Sequence, residues 1–276
     1  MSVRLATVVL TMTAYPSIAA GALRTAGFPS CPGCAYFRTG PASVCSACAD
    51  PELVRPGPDA CVVCAQRLEL NGSCPNELCR SPRRRIDKIH AIGYQAGPLR
   101  RAVNDYKYRG VRGLADVLGR ILLTWLDEHM SADPPGLIVA NPSFVGPGGQ
   151  QFAHTEAVLT AATRADVDNR WPFDLAAITK TEPTLPSADG QAWSKRVSGS
   201  ELRDALRILD PAHTNGRFVL VYDDVCTTGS QLDAVAGCLV DHGGAARVEG
   251  VVLARAPWRN SQNAQLSRKT AAKRAT

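Results

Sequence analysis

The sequence predicts an α/β fold in which a mainly parallel sheet is flanked by helices and preceded by a small cysteine-rich module. After about residue 86, short apolar segments typical of strands alternate with segments whose apolar residues recur at helical spacing. Before that point, eight of the ten cysteines fall between residues 31 and 79. A chain of 276 residues that is 45% apolar is long enough for one sizeable core and a small appendage.

These shifts in composition divide the chain into four predicted parts. They are an N-terminal segment (1–30), the cysteine-rich module (31–85), the α/β domain (86–258) and a basic tail (259–276) that we expect to be disordered. The N-terminal segment has an early Arg4 and an Ala-rich stretch typical of a leader, but polar residues and Pro16 interrupt its apolar patch. No stretch approaches the roughly 20 apolar residues that span a membrane. We therefore expect a cytoplasmic protein without a membrane span.

The clustered cysteines occur in four closely spaced pairs, which predict metal binding. The pairs are Cys31 and Cys34, Cys45 and Cys48, Cys61 and Cys64, and Cys74 and Cys79. Paired thiolates reach one tetrahedral ion from a single tight turn, so two pairs make one all-cysteine zinc site and four pairs make two. The spacing does not say which pairs share an ion. Since the module has few large apolar residues, it depends on structural Zn²⁺ to fold. The alternative is a set of disulfides in an oxidising compartment.

The first half of the α/β domain is predicted from residue types and periodicity. The segment 88–94 (KIHAIGY) is typical of a strand, and Pro98 then suits the first turn of a helix that runs towards Tyr106. From Gly113 the apolar residues recur at helical spacing, and LIVA at 137–140 is a short buried strand. A loop and a helix from about 152 to 165 follow.

The second half continues the alternation. Strands are predicted at 174–179, 217–222 and 248–254, with a helix near 193–208 after a Pro-rich stretch and an amphipathic helix across Leu232–Val240. Repeated strand–helix–strand units favour a parallel sheet covered on both faces. Ligands of such sheets bind beyond the carboxyl ends of the strands.

The stretch VLVYDDVCTTGSQ at 219–231 carries the strongest functional signal. Asp223 and Asp224 are expected to leave the end of the strand on opposite sides, where a carboxylate can accept hydrogen bonds from sugar hydroxyls. The turn from Thr227 to Ser230 opens a helix, whose N–H groups and dipole favour a phosphate, and Gly229 lets the backbone approach it. The pattern predicts a ribose 5-phosphate site. The alternative is that these residues only cap a helix and the two Asp are solvated.

These residues resemble a known family. VLVYDDVCTTGSQ is similar to the phosphoribosyl diphosphate (PRPP) signature of type I phosphoribosyltransferases. Upstream, paired cysteines followed by GYQAGPLRRAVNDYKYRG at 93–110 resemble the ComF family, in which a cysteine-rich zinc module precedes such a domain. The similarity spans roughly residues 31–256 and is weak in the middle. It implies a type I phosphoribosyltransferase-like fold and an association with DNA uptake and single-stranded DNA.

The resemblance also implies roles for the residues of this stretch. Asp223 and Asp224 would contact the ribose hydroxyls of PRPP during transfer. The loop that holds the 5-phosphate would consist of Val225, Cys226, Thr227, Thr228, Gly229 and Ser230. Mg²⁺ would bridge the diphosphate, and an acceptor would attack the anomeric carbon as diphosphate leaves.

The middle of the chain departs from the family pattern. Asn141 and Pro142 stand where ComF proteins usually have Val-Pro, and of the usual Arg-Gly-Phe-Asn-Gln only Phe152 remains. The lost basic groups would help to hold the diphosphate. Asn141 and Arg196 are the remaining candidates for that contact. Phosphate binding is therefore better supported by the sequence than turnover.

Charge and aromatic residues keep a second function open. Residues 80–120 carry eleven Lys or Arg against three Asp, although the whole chain is only +6. Such a segment suits an anionic partner, or is simply a solvated basic face. The alternatives are thus a phosphoribosyltransferase with an unknown acceptor, and a non-catalytic PRPP- or nucleotide-sensing module that binds single-stranded nucleic acid. Tyr94, Tyr106 and Tyr108 would stack on bases in the second case, but we expect these tyrosines to be core residues.

Overall fold

The computed structural model describes residues 53–184 and 201–257. Along the chain the elements are α1 (Glu77–Arg80), β1 (Lys88–Tyr94), α2 (Gly97–Tyr108), α3 (Leu114–His129), β2 (Leu137–Ala140), α4 (His154–Ala165), β3 (Ile178–Lys180), β4 (Leu206–Ile208), a 3₁₀ turn (Pro211–His213), β5 (Phe218–Cys226), α5 (Ser230–Asp241) and β6 (Arg247–Arg255). The predicted N-terminal segment, the basic tail, Arg196 and the first four clustered cysteines lie outside the described residues.

Four strands form one parallel sheet in the order β1–β6–β5–β2. The two central strands, β5 and β6, are almost entirely buried, as their continuous apolar character requires of strands covered on both faces. In their register Asp223 lies beside Val252 and Cys226 beside Arg255. The predicted parallel sheet flanked by helices is confirmed, and so is each of the four strands that build it.

Helices cover the two faces of this sheet with separate apolar clusters. On one face α3 packs with Leu118, Leu122 and Leu126 against Leu220 and Tyr222 of β5. On the other face α5 packs with Leu232, Val235 and Leu239 against Val219 and Val221. The alternation of side chains along β5 therefore sends successive residues to opposite clusters.

Close packing of α3 on α4 depends on a glycine. A Cβ built on Gly119 would lie 2.7 Å from the amide nitrogen of Ala162 and 2.8 Å from the carbonyl oxygen of Val158. Both predicted helices are present, at 114–129 and 154–165. Their contact positions α4 beside the loop that follows β2.

Two predictions in the second half of the domain were wrong. Residues 174–177 precede a short strand, Ile178–Lys180, which pairs antiparallel with Leu206–Ile208 in a separate two-stranded sheet. The helix expected to reach 208 ends before β4, because Leu206 and Ile208 alternate with exposed Arg207 and so fit a half-buried strand. Residues 185–200 lie outside the described part of the chain.

The described part of the cysteine-rich module packs on the edge of the sheet through backbone hydrogen bonds. The amide of Ile89 donates to Val63 O at 2.7 Å, and the amide of Tyr94 donates to Val54 O at 2.7 Å. Both contacts use the free edge of β1. Across 53–184 and 201–257, no helix is long and apolar enough to pass through a bilayer.

Candidate functional site

Asp223 and Asp224 lie inside β5, which continues to Cys226 instead of ending at 222 as the sequence predicted. Pairing with β6 extends this far because Val252, Ala254 and Arg255 offer backbone partners alongside. Both carboxylates are buried, with Asp223 only 6% and Asp224 only 3% exposed. The two residues therefore do not lie beyond the strand end, as was expected. They do point to opposite faces of the strand, as predicted, with Asp223 beside Asn141 and Asp224 beside Lys107. A ligand crevice beside them stays a prediction.

Asp223 is held by two hydrogen bonds. Its carboxylate accepts from Asn141 Nδ2 at 3.1 Å and from the backbone amide of Asp224 at 2.8 Å. Burial, together with the neighbouring Asp224, raises the pKa of Asp223 to about 7, although Lys107 and the two hydrogen bonds act in the other direction. Near neutral pH this group is therefore divided between its acidic and ionised forms.

Asp224 faces α2 and forms an ion pair with Lys107. The Lys107 Nζ donates to Asp224 Oδ1 at 2.9 Å. Burial of Lys107 opposes its positive charge, but the carboxylates of Asp224 and Asp223 outweigh that effect and hold its pKa above the usual value. Lys107 was not among the site residues predicted from the sequence. It could have been found from its position in YKYRG, within the segment that resembles the ComF family.

Asn141, which was predicted as a diphosphate contact, directly follows β2, and its side chain donates a hydrogen bond to Asp223. Its backbone amide donates to Tyr222 O at 2.7 Å, and its carbonyl accepts from Thr155 Oγ1 at 2.7 Å. Asn141 is therefore bound to β5 through its backbone and its side chain, and to α4 through Thr155. The loop beyond it, from 142 to 151, contains no Lys or Arg.

The loop 227–229 joins β5 to α5. Side chains of Arg255 and Asn76 donate hydrogen bonds to carbonyl oxygens at this junction. Arg255 Nη1 donates to Cys226 O at 2.7 Å and also to Thr227 O, and Asn76 Nδ2 donates to Thr228 O at 2.9 Å. The peptide bonds of the described residues are trans. In a trans peptide the C=O and the following N–H point in opposite directions.

The amides of Thr227, Thr228 and Gly229 consequently point away from Arg255 and Asn76. Gly229 has φ 82° and directly precedes α5. The Thr228 and Ser230 hydroxyl oxygens are 2.9 Å apart, so two hydroxyls lie at the same helix start. Backbone amides, hydroxyl groups and a helix N-terminus together offer the kinds of donor that suit a phosphate.

Val225 and Cys226, the two other residues predicted to hold the phosphate, have buried or partly buried side chains, so only their backbone groups would take part in the site. Val225 is partly buried against the apolar cluster beside α3. Cys226 is buried, and that burial raises the pKa of its thiol to about 11, although Arg255 acts in the other direction. A neutral thiol with no solvent access has no role as a nucleophile here.

Four of the eight predicted metal ligands converge in the described part of the module. The Sγ atoms of Cys61, Cys64, Cys74 and Cys79 all lie within 4.8 Å of one another. Cys61 and Cys79 are 3.8 Å apart and Cys64 and Cys74 are 3.7 Å apart, so no disulfide joins them. Four sulfurs at about 2.3 Å from one tetrahedral Zn²⁺ would be about 3.8 Å apart. The cluster therefore fits a structural zinc ion, which the third and fourth pairs of cysteines would hold together.

Of the three tyrosines considered for stacking on bases, two are core residues. Tyr94 and Tyr106 are buried, and the Tyr106 hydroxyl donates to His154 O at 2.8 Å. Tyr108 at the end of α2 is 78% exposed. The expectation of core residues holds for the first two and was wrong for Tyr108.

Comparisons with known proteins give a remote likeness to a solved structure. The chain matches no protein-family model, and no curated protein matches it. Among solved structures it is similar to a hypoxanthine phosphoribosyltransferase from Staphylococcus aureus, with 12% identity and a TM-score of 0.30, over 51% of this chain and 62% of that chain. The matched part is thus less than two thirds of that protein's length. At such a TM-score the likeness adds nothing to what the site geometry indicates.

Proposed function

We propose that this protein binds PRPP or a related phosphorylated ribose at the junction of β5 and α5. The observation that carries the proposal is the orientation of the loop 227–229, whose carbonyls are bound by Arg255 and Asn76 so that its amides face the opposite way. The 5-phosphate would lie against these amides and the hydroxyls of Thr228 and Ser230. The carboxylates a few residues upstream would accept hydrogen bonds from the ribose hydroxyls.

When the ligand binds, a ribose hydroxyl would replace Lys107 as the hydrogen-bond donor to Asp224. Lys107 pairs with this carboxylate from α2, and the Lys107 side chain is 25% exposed. A ribose hydroxyl that takes over Asp224 would release the ammonium group towards the diphosphate. Lys107 would then provide the cation that residues 142–151 lack. Mg²⁺ would arrive with PRPP and neutralise part of the diphosphate charge.

Calorimetry of PRPP with Mg²⁺ on zinc-loaded protein tests the binding proposal. We expect binding by the wild type and an affinity at least about tenfold lower in Asp224→Asn, which loses a charged acceptor. Asp116→Asn is the matched control, because Asp116 is an exposed carboxylate on α3 that pairs with Arg164. Absence of binding by the wild type, or equal affinity in all three proteins, would contradict the proposal.

Transfer of the phosphoribosyl group to an acceptor is the catalytic form of the proposal. It requires release of diphosphate from PRPP when a candidate acceptor is added. We expect any such release to be lost in Asp224→Asn and in Lys107→Met and retained in Asp116→Asn. If the protein binds PRPP but releases no diphosphate with any nitrogenous base or amine tested, the non-catalytic sensing module would be supported instead.

The second candidate is a module that binds single-stranded nucleic acid, and the exposed Tyr108 favours it. Arg100, Arg101, Arg109 and Arg112 are exposed on or just after the same helix, α2. Stacking on Tyr108 would contribute about 1 to 3 kcal/mol per base, and phosphate contacts would make the affinity fall steeply with salt. We expect Tyr108→Ala to weaken binding of a single-stranded oligonucleotide, with exposed Val62→Ala as control. A flat salt response would exclude this candidate.

A further inference from the structure

Arg255 lies between the four-cysteine cluster and the loop 227–229, and its side chain has no exposed surface. Its Nε donates to Cys64 O at 2.8 Å, and its Nη2 lies 3.8 Å from Cys64 Sγ. Its Nη1 donates to the carbonyl oxygens of Cys226 and Thr227. A single guanidinium therefore contacts a predicted metal-ligand residue and two consecutive peptides of the loop.

A fully buried guanidinium requires a compensating negative charge. Within the described residues, the contacts of Arg255 are with carbonyl oxygens and the Cys64 sulfur, and no carboxylate forms an ion pair with it. Four thiolates around one Zn²⁺ carry a formal charge of −2. An occupied metal centre would thus supply the counter-charge that keeps Arg255 in place.

Asn76 gives a second connection between the same two regions. It lies in the chain between Cys74 and Cys79 and is buried. Its Oδ1 accepts from the Leu78 amide at 3.2 Å at the start of α1, and its Nδ2 donates to Thr228 O at 2.9 Å. Arg255 and Asn76 together bind three successive carbonyls, those of residues 226, 227 and 228.

We infer that Arg255 is a positioning residue through which the metal centre orients the amides of the loop 227–229 for an anion. This inference rests on the function proposed above and adds a dependence on the metal. When the ion leaves, the four sulfurs are no longer held in one tetrahedron, so Cys64 no longer fixes the guanidinium of Arg255. The carbonyls of Cys226 and Thr227 then lose their fixed partner. The following amides then no longer share one direction.

The test compares Arg255→Lys with the wild type, both with and without zinc. A lysine keeps the positive charge but cannot donate to Cys64 O and to two loop carbonyls at once. Arg247→Lys is the matched control, since Arg247 is at the other end of β6, where it pairs with Asp133. Zinc content is measured for every variant by elemental analysis.

Hydrogen exchange gives a readout that does not depend on any ligand. Two amides report on the loop, since Ala256 N donates to Cys226 O at 2.9 Å and Asp233 N donates to Gly229 O at 2.9 Å. In the wild type and Arg247→Lys, we expect zinc to slow exchange of these two amides about tenfold or more. In Arg255→Lys, zinc should still protect residues 61–79 but leave both amides exchanging as in zinc-free protein. Equal protection of both amides by zinc in all three proteins would refute the inference. If Arg255→Lys does not retain zinc, Asn76→Ser takes its place, because serine still caps α1 but is too short to reach Thr228 O.

Calorimetry then separates this inference from the proposed function. We expect Arg255→Lys to bind ribose 5-phosphate about tenfold or more weakly than the wild type, while inorganic diphosphate binds both alike. A global defect would weaken both ligands. If the wild type binds neither ligand, the proposed function fails while hydrogen exchange still decides the role of Arg255. If Arg255→Lys binds ribose 5-phosphate as the wild type does, the positioning role fails alone.

Discussion

At the scale of single residues, the candidate site is a buried group of charges that do not cancel. Two carboxylates, Asp223 and Asp224, face one ammonium group, that of Lys107, in a region with little access to water. An uncompensated buried charge is costly, and protonation of Asp223 relieves that cost. The raised pKa of Asp223, about 7, follows from this imbalance.

Ionisation of Asp223 therefore makes stability depend on pH. A carboxyl whose pKa rises from 3.8 to about 7 on folding favours the folded state below the lower value, and that contribution is lost as pH rises through 7. We expect the wild-type free energy of unfolding to fall by up to a few kcal/mol, relative to that of Asp223→Asn, between about pH 4 and pH 8. Urea unfolding of both proteins at several pH values measures this difference, and parallel profiles would contradict it.

Lys107 is predicted to stabilise the fold as well as to bind ligand. Lys107→Met removes the ammonium and leaves Asp224 as a buried unpaired carboxylate, which should lower the free energy of unfolding by about 3 kcal/mol. In the double variant Lys107→Met, Asp224→Asn most of that loss should be recovered, but PRPP binding should not. Arg109, which is 77% exposed and pairs with Asp105, provides the control, since Arg109→Met should change stability by less than about 0.5 kcal/mol.

At the scale of elements, the turn from β5 to α5 is tightly enclosed by the module and by β1. A Cβ built on Gly229 would lie 2.7 Å from Ile89 Cδ1 and 3.0 Å from Leu78 Cδ2, and φ at this residue is 82°. Glycine is required here for both its positive φ and its lack of a side chain. The loop is thus packed against β1 and α1 on the side of Gly229, while Arg255 and Asn76 bind its carbonyls.

Gly229→Ala should damage both stability and ligand binding. Gly216→Ala is a matched control, because Gly216 has φ 68° but no heavy atom lies within 4 Å of the added Cβ. The control should cost about 1 kcal/mol for the strained φ alone, and Gly229→Ala should cost clearly more through the added clash. Thermal unfolding and PRPP calorimetry measure the two effects. Equal destabilisation by both substitutions, with PRPP affinity unchanged, would show that the enclosure is loose.

At the scale of the whole molecule, a parallel α/β core is joined along one edge to a module with few apolar residues. The sheet and its helices contain nearly all the large buried side chains, among them Leu118, Leu122, Tyr222 and Leu239. The described part of the module contributes mainly cysteines, with Cys61 and Cys64 packed in the cluster beside α5. Its order should therefore depend on the metal, and that of the sheet much less.

Removal of the metal is expected to loosen the module without abolishing the α/β fold. Cys61→Ser should lose the zinc ion held by the four-cysteine cluster and lower Tm, while a cooperative transition of the sheet remains. Cys238→Ala, in the middle of α5 and outside the cluster, should keep the zinc stoichiometry of the wild type. Elemental analysis and circular dichroism measure the two outcomes. Full retention of zinc in Cys61→Ser would contradict the assignment of these ligands.

The sequence by itself determined the features that depend on residue type and local spacing. Continuous apolar runs such as 217–222 predict buried strands, paired cysteines predict metal ligands, and the T-T-G-S turn predicts a helix start suited to an anion. Each of these signals lies within about ten residues of chain. The pairing of the third and fourth cysteine pairs needed the fold, because spacing alone allows several pairings.

Only the tertiary structure decided how distant residues complete the site. It continued β5 past Asp223 and Asp224, because β6 offers backbone partners up to Arg255. It also brought Lys107 to Asp224 across 117 positions of sequence and Arg255 to Cys64 across 191. Hydrogen bonds between residues so far apart follow no periodicity along the chain, since they depend on where the sheet and its helices place those residues in space.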